Sequence, residues 1–181
     1  RAGGSGAATI SGPARSIDLI ATRSGGGFPG GGPVCIHVDH LVETNEGPMH
    51  IDDVVEKAPL IWSYDNTYHN NRLSRLRRVE IVEHDNLYTI NNMKVTEDHI
   101  LYITTPNETY KPVSINPEKT KENYGRDVDE LKVGDRLMKF DGNLEDVTSI
   151  NRLAGKHRTY TLKSQLDNNF YADGVLVDSE I

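Results

Sequence analysis

From Cys35 onward the chain is a succession of short β-type runs, and nothing else in the sequence constrains its fold as much. Runs rich in Val, Ile, Tyr, Thr and Leu fall at residues 36–42, 60–64, 79–82, 87–90, 100–104, 136–140, 147–153, 159–163 and 174–177. Each is too short to give a helix an apolar face, and turn residues separate them. Asn91-Asn92 and Asp141-Gly142-Asn143 are tight-turn signals between neighbouring runs. The pattern supports one short helical turn, at 51–55. Residues 106–129 are polar, carry Pro106, Pro112 and Pro117, and read as a long loop. This many short strands in about 150 residues predict an all-β domain with strands shared between sheets.

The first 34 residues follow different physics. They hold ten of the 16 glycines, four charged residues (Arg1, Arg15, Asp18 and Arg23) and one small apolar cluster, Ile17, Leu19 and Ile20. Glycine loses the most backbone entropy on ordering, and this segment has little apolar surface to offset that loss. The expected organisation is therefore a glycine-rich extended arm or linker over 1–34 and an all-β domain over 35–181. Such an arm becomes ordered when something holds it, and a neighbouring subunit is the expected partner. The chain begins with Arg rather than Met, which marks a processed chain or a fragment.

Charge and cysteine content exclude several function classes. With 20 basic and 27 acidic side chains the net charge is −7, which disfavours nucleic acid, because phosphate affinity is drawn from Lys and Arg. No stretch approaches the roughly 18 apolar residues of a membrane span. A single cysteine rules out an internal disulfide framework and a cysteine-rich zinc site. His37-Val38-Asp39-His40 invites a metal, but in a strand His37 and Asp39 share one face and His40 points to the other. No cofactor or metal is expected. Arg72, Arg75, Arg77 and Arg78 form one basic cluster, read either as a docking patch or as a solvated strand edge.

The lone Cys35 follows the arm directly, in Gly32-Pro33-Val34-Cys35-Ile36. It reads either as a small buried hydrophobe or as a nucleophile at a junction. A nucleophile needs a polarising group and a proton shuttle, and Thr96-Glu97-Asp98-His99 supplies a hydroxyl and an imidazole three residues apart. Taken alone, a Thr and a His in a turn also serve a purely structural role.

Taken in chain order these residues resemble the Hint family, which contains inteins, hedgehog autoprocessing domains and bacterial intein-like domains. The resemblance runs over about residues 35–179. It rests on Cys35 with Ile51-Asp52-Asp53-Val54, on Val95-Thr96-Glu97-Asp98-His99, and on Leu131-Lys132-Val133-Gly134-Asp135. It is completed by Tyr160-Thr161-Leu162 and Phe170-Tyr171-Ala172-Asp173-Gly174-Val175-Leu176-Val177. It implies a minimal, all-β Hint horseshoe, since residues 103–131 leave no room for an inserted endonuclease. It also implies that Cys35 attacks the Val34 carbonyl to make a thioester, assisted by Thr96 and His99. Imidazole suits the protonation of a departing amide nitrogen near neutral pH.

The C-terminal positions depart from that pattern. Asp178 and Ser179 stand where splicing inteins carry His-Asn, Thr161 stands for an acidic residue or cysteine, and Asn168 for an assisting histidine. Serine has no amide to cyclise, so splicing is not expected. Two roles remain. One is a degenerate Hint domain kept as a structural component of a multi-subunit assembly, for example a phage virion tail, baseplate or neck, tethered to other protein subunits by 1–34. The other is a single-turnover autoprocessing domain that cleaves Val34–Cys35 without splicing.

Overall fold

Strands follow wherever apolar and β-branched residues allow one or both faces to be buried. A computed structural model describes residues 18–23 and 35–179. Most of the arm proposed for 1–34 lies outside the described residues, as do residues 180 and 181. The first half contains β1 (Asp18–Arg23), β2 (Ile36–His37), β3 (Val42–Thr44), β4 (Gly47–Met49), α1 (Ile51–Lys57), β5 (Leu60–Asp65), β6 (Asn70–His84), β7 (Leu87–Ile90) and β8 (Met93–Thr96). The second contains β9 (Leu101–Ile103), β10 (Lys111–Ser114), α2 (Pro117–Tyr124), β11 (Asp129–Glu130), β12 (Arg136–Met138), β13 (Leu144–Asp146), β14 (Ile150–Leu153), β15 (His157–Ser164), β16 (Asn169–Ala172) and β17 (Val175–Asp178). The fold is all-β, with two short helices.

β6 ties the strands together. Its first half pairs antiparallel with β5, from Leu60↔Arg75 to Asp65↔Asn70. Its second half pairs antiparallel with β15, with Tyr160 opposite Ile81 and Thr161 opposite Glu80. On its other edge β6 receives β1 in parallel, Asp18↔Arg78 and Leu19↔Val79. Part of the segment before Cys35 therefore runs along the chain's own sheet.

Near the C-terminus an uninterrupted apolar run has both faces buried. Val175 and Val177 join the main core with Ile36, Val95, Leu101 and Phe170. Leu176 faces the other way, into a second cluster with Tyr64, Ile100, Tyr102 and Tyr171.

Several sequence expectations change. The run at 36–42 breaks into β2 and β3, joined by a turn closed by the His40 N–H bond to the His37 carbonyl at 3.1 Å. The supposed loop at 106–129 contains β10 and α2. There Asn116 caps the helix, Pro117 opens it, and Gly125 closes it in the left-handed region at φ 69°. The helical turn at 51–55 extends to Lys57 and is capped by the His50 side chain, which accepts from the Asp52 N–H. The Asn91-Asn92 hairpin forms as read, with Asn91 at φ 56°.

Candidate functional site

Cys35 is wholly buried where the chain enters β2. The ladder around it follows from the neighbouring apolar residues: Ile36 pairs with Tyr160 of β15 on one side and Val95 of β8 on the other. These pairings hold Cys35 against Thr96. The Cys35 N–H donates to Thr96 Oγ1 at 3.2 Å, and the Thr96 N–H donates to the Cys35 carbonyl at 3.1 Å. The nitrogen of the Val34–Cys35 peptide bond is thus held by a side-chain hydroxyl.

After Thr96 the chain turns tightly, and the His99 N–H closes back on the Thr96 carbonyl at 3.2 Å. His99 is fully buried. Its Nε2 lies 3.1 Å from the Asp178 carbonyl oxygen. A carbonyl can only accept, so Nε2 carries the proton and Nδ1 presents a lone pair. Nδ1 is buried and has no hydrogen-bond partner among the described residues. Burial pushes the His99 pKa down to about 3, against a smaller opposing effect of the bond to Asp178, so the ring is neutral at physiological pH.

The turn is braced from behind. Asp98 is buried, and burial pushes its carboxyl up from the usual range, against hydrogen bonds from Asn123 and Thr96. Asn123 Nδ2 donates to Asp98 Oδ2 at 2.8 Å, and Thr120 Oγ1 donates to the Asp98 carbonyl at 3.0 Å. Both come from α2. Cys35 and Thr96 are therefore bonded to one another, and His99 follows in the same buried turn with its ring bonded to the Asp178 carbonyl.

No protein-family model matches the sequence, and no curated protein matches it. Solved structures do. The bacterial intein-like domain from Clostridium thermocellum superposes with a TM-score of 0.61 at 18% identity, over 80% of this chain and 97% of its own. A DnaB intein from Synechocystis sp. gives 0.60 at 16% identity, over 82% of this chain and 99% of its own. The TvoVMA intein gives 0.60 at 20% identity, over 81% and 98%. The chain has an intein-like Hint fold.

On this Hint fold the C-terminal positions form a network of their own. Asp178 is buried, accepts from the Tyr102 hydroxyl, and takes a bond from Arg126 Nη1 at 3.0 Å. Burial opposes the Arg126 charge, but Asp178 and Tyr102 outweigh it and hold its pKa above the ordinary value. Tyr110 stacks on Tyr102 with centroids 4.0 Å apart and accepts from Asn169 Nδ2 at 2.9 Å. Ser179 is buried, its N–H donates to the Asn168 carbonyl at 2.9 Å, and its carbonyl accepts from Thr161 Oγ1 at 2.8 Å. Sequence reading compared Asp178 with a missing histidine and overlooked Tyr102 and Arg126. The signal was present: an ionisable residue closing an all-apolar strand is carried inside with it and requires partners.

The histidines of β2 and the turn after it take structural bonds. The Lys94 N–H donates to His40 Nε2 at 2.8 Å, so His40 Nδ1 carries the proton and donates to Asp173 Oδ2 at 2.6 Å. His37 Nδ1 accepts from the Asp39 N–H at 3.0 Å. Among the described residues no three His, Cys, Asp or Glu side chains converge on a metal position. In the basic cluster, Arg72 forms a two-pronged pair with Asp167 at 2.8 and 2.9 Å, and Arg78 pairs with Glu80 at 3.0 Å.

Proposed function

We propose that this chain is a single-turnover autoprocessing domain that cleaves its own Val34–Cys35 bond. The observation that carries the reading is the hydrogen bond from the Cys35 N–H to Thr96 Oγ1, in the same turn as an imidazole with an unoccupied lone pair. In the proposed step Cys35 Sγ attacks the Val34 carbonyl carbon. The C–N bond breaks, the thiol proton ends on the Cys35 nitrogen, and a thioester remains. Thr96 orients the departing nitrogen, and His99 is the group suited to pass the proton. Water, a thiol or an amine then cleaves the thioester, leaving residues 1–34 as a separate chain. The likeness to inteins and to an intein-like domain supports this chemistry, while the residues at the C-terminal positions leave no asparagine to cyclise.

Intact mass with and without added thiol or hydroxylamine tests it. A nucleophile-dependent fragment beginning at Cys35 is expected, absent in Cys35→Ala and formed on the order of a hundredfold more slowly in Thr96→Ala. A single uncleaved mass for the natural sequence under every condition sinks the reading.

A second reading is favoured by one observation, the consolidation of Asp178 with Tyr102 and Arg126 where catalytic groups would stand. It is a Hint domain retained as a structural part of a multi-subunit assembly, such as a phage tail, baseplate or neck, with 1–34 reaching its neighbours. Under it Cys35→Ala changes only local packing, and deleting residues 1–30 weakens assembly.

A further inference from the structure

We propose that the Asp178–Ser179 peptide bond is a second self-cleavage site, opened by an N-to-O acyl shift onto the Ser179 hydroxyl. Ser179 is fully buried, and its Oγ has no hydrogen-bond partner among the described residues. Buried hydroxyls are ordinarily satisfied, so one that is not calls for a reason. The carbonyl it follows, that of Asp178, is the one polarised by His99 Nε2–H at 3.1 Å. The nucleophile and the polarised carbon thus belong to adjacent residues, and covalent geometry alone brings them within reach through a five-membered ring. The peptide is also held rigidly, by the Ser179 N–H bond to Asn168 and the Thr161 bond to the Ser179 carbonyl.

Atoms balance without a further reactant in the first step. Ser179 Oγ bonds to the Asp178 carbonyl carbon, and the oxyanion that develops faces His99 Nε2–H, a donor already in position. The C–N bond then breaks, the hydroxyl proton ends on the Ser179 nitrogen as a free amine, and an oxoester joins Asp178 to Ser179 Oγ. Water hydrolyses the ester to an Asp178 carboxylic acid and restores the serine hydroxyl. The Asp178 side chain does not compete by closing on its own carbonyl, because Tyr102 and Arg126 hold both carboxylate oxygens. His99 would then serve the Asp178–Ser179 bond through its Nε2–H as well as the Val34–Cys35 bond of the reading above.

The test uses the full chain carrying Cys35→Ala, which removes the thioester route and separates this proposal from the reading above. Incubated with neutral hydroxylamine and weighed intact, it is expected to lose the residues after Asp178 and to carry a hydroxamate there. Adding Ser179→Ala abolishes that loss. Replacing Ser179 with Cys instead restores cleavage and makes it responsive to added thiol. A Cys35→Ala chain that keeps its full mass overturns the proposal. A loss that persists with Ser179→Ala, or that Ser179→Cys does not restore, overturns it equally.

Discussion

His99 is the residue on which the site turns, and its burial has a measurable consequence. In the unfolded chain the imidazole titrates at its ordinary value near 6.5, whereas in the folded chain desolvation holds it at about 3. Between those values the unfolded state binds a proton that the folded state refuses. The contribution of His99 to stability is therefore intact above pH 6.5 and falls as the pH drops toward 3. The loss is on the order of 1.4 kcal/mol per pH unit inside that window. Urea unfolding at pH 7 and pH 5 is expected to show a loss of about 2 kcal/mol that shrinks markedly in His99→Gln. An identical pH dependence in both proteins would remove the case for a buried neutral ring. Two neighbours have opposite signs. Ser179→Ala discards a buried hydroxyl without a partner and is expected to leave the thermal midpoint unchanged or raised. Tyr102→Phe deprives the buried Asp178 carboxylate of a donor and is expected to cost about 2 kcal/mol in the same assay.

At the scale of elements, α2 braces the turn that carries Thr96 and His99. It buries only Thr120, yet Thr120 and Asn123 both bond Asp98. Its ends are set by single residues. Asn116 Oδ1 accepts from the Lys119 N–H at 3.2 Å, Asn116 Nδ2 donates to Glu97 Oε1 at 3.0 Å, and Gly125 takes the left-handed position. Asn116→Ala and Gly125→Ala are each expected to cost about 1 kcal/mol in urea unfolding with an unchanged denaturant slope. Asn116→Ala, which also removes the donor to the Glu97 side chain, should in addition speed amide exchange across 96–99. Near-zero effects would mean that the turn holds without its helix. The element explains what the sequence hid: with one buried residue in eight, α2 offers no apolar period, and only its Asn-Pro start and Gly end were readable. β6 escaped for a related reason. Only 79–82 carries closely spaced apolar residues, Val79, Ile81 and Val82, while 70–78 is polar apart from Leu73 and Leu76 and gains its place from β5 and from the Arg72 pair with Asp167. Strands with both faces buried, such as β17, were legible because their interior had to be an unbroken apolar run, here Val175–Val177.

For the molecule as a whole, the intein-like Hint fold extends over about four fifths of the chain, and one strand from before Cys35 pairs with β6. The bonds between Cys35 and Thr96, and the turn that carries His99, fall on residues that the sequence pattern singled out. The bonds of Asp178 to Tyr102 and Arg126 were not legible, since each joins segments whose approach only the folded sheet decides. The strand before Cys35 carries the last prediction. β6 is bonded on one edge by β15 and on the other by β1, from Asp18↔Arg78 to Arg23↔Val82. Cutting Val34–Cys35 breaks the covalent link but none of those backbone bonds. A fragment of residues 1–34 generated by thiol should therefore travel with the domain in gel filtration and separate from it only in denaturant. Deleting residues 1–23 should in turn speed hydrogen exchange at β6 amides that face β1, leaving those facing β15 slow. A fragment that elutes alone, together with unchanged exchange in the truncated chain, would show that β1 adds nothing to the sheet. Retention would mean that cleavage changes the covalent chain without releasing its product, so that the cut domain keeps its arm until something else binds it.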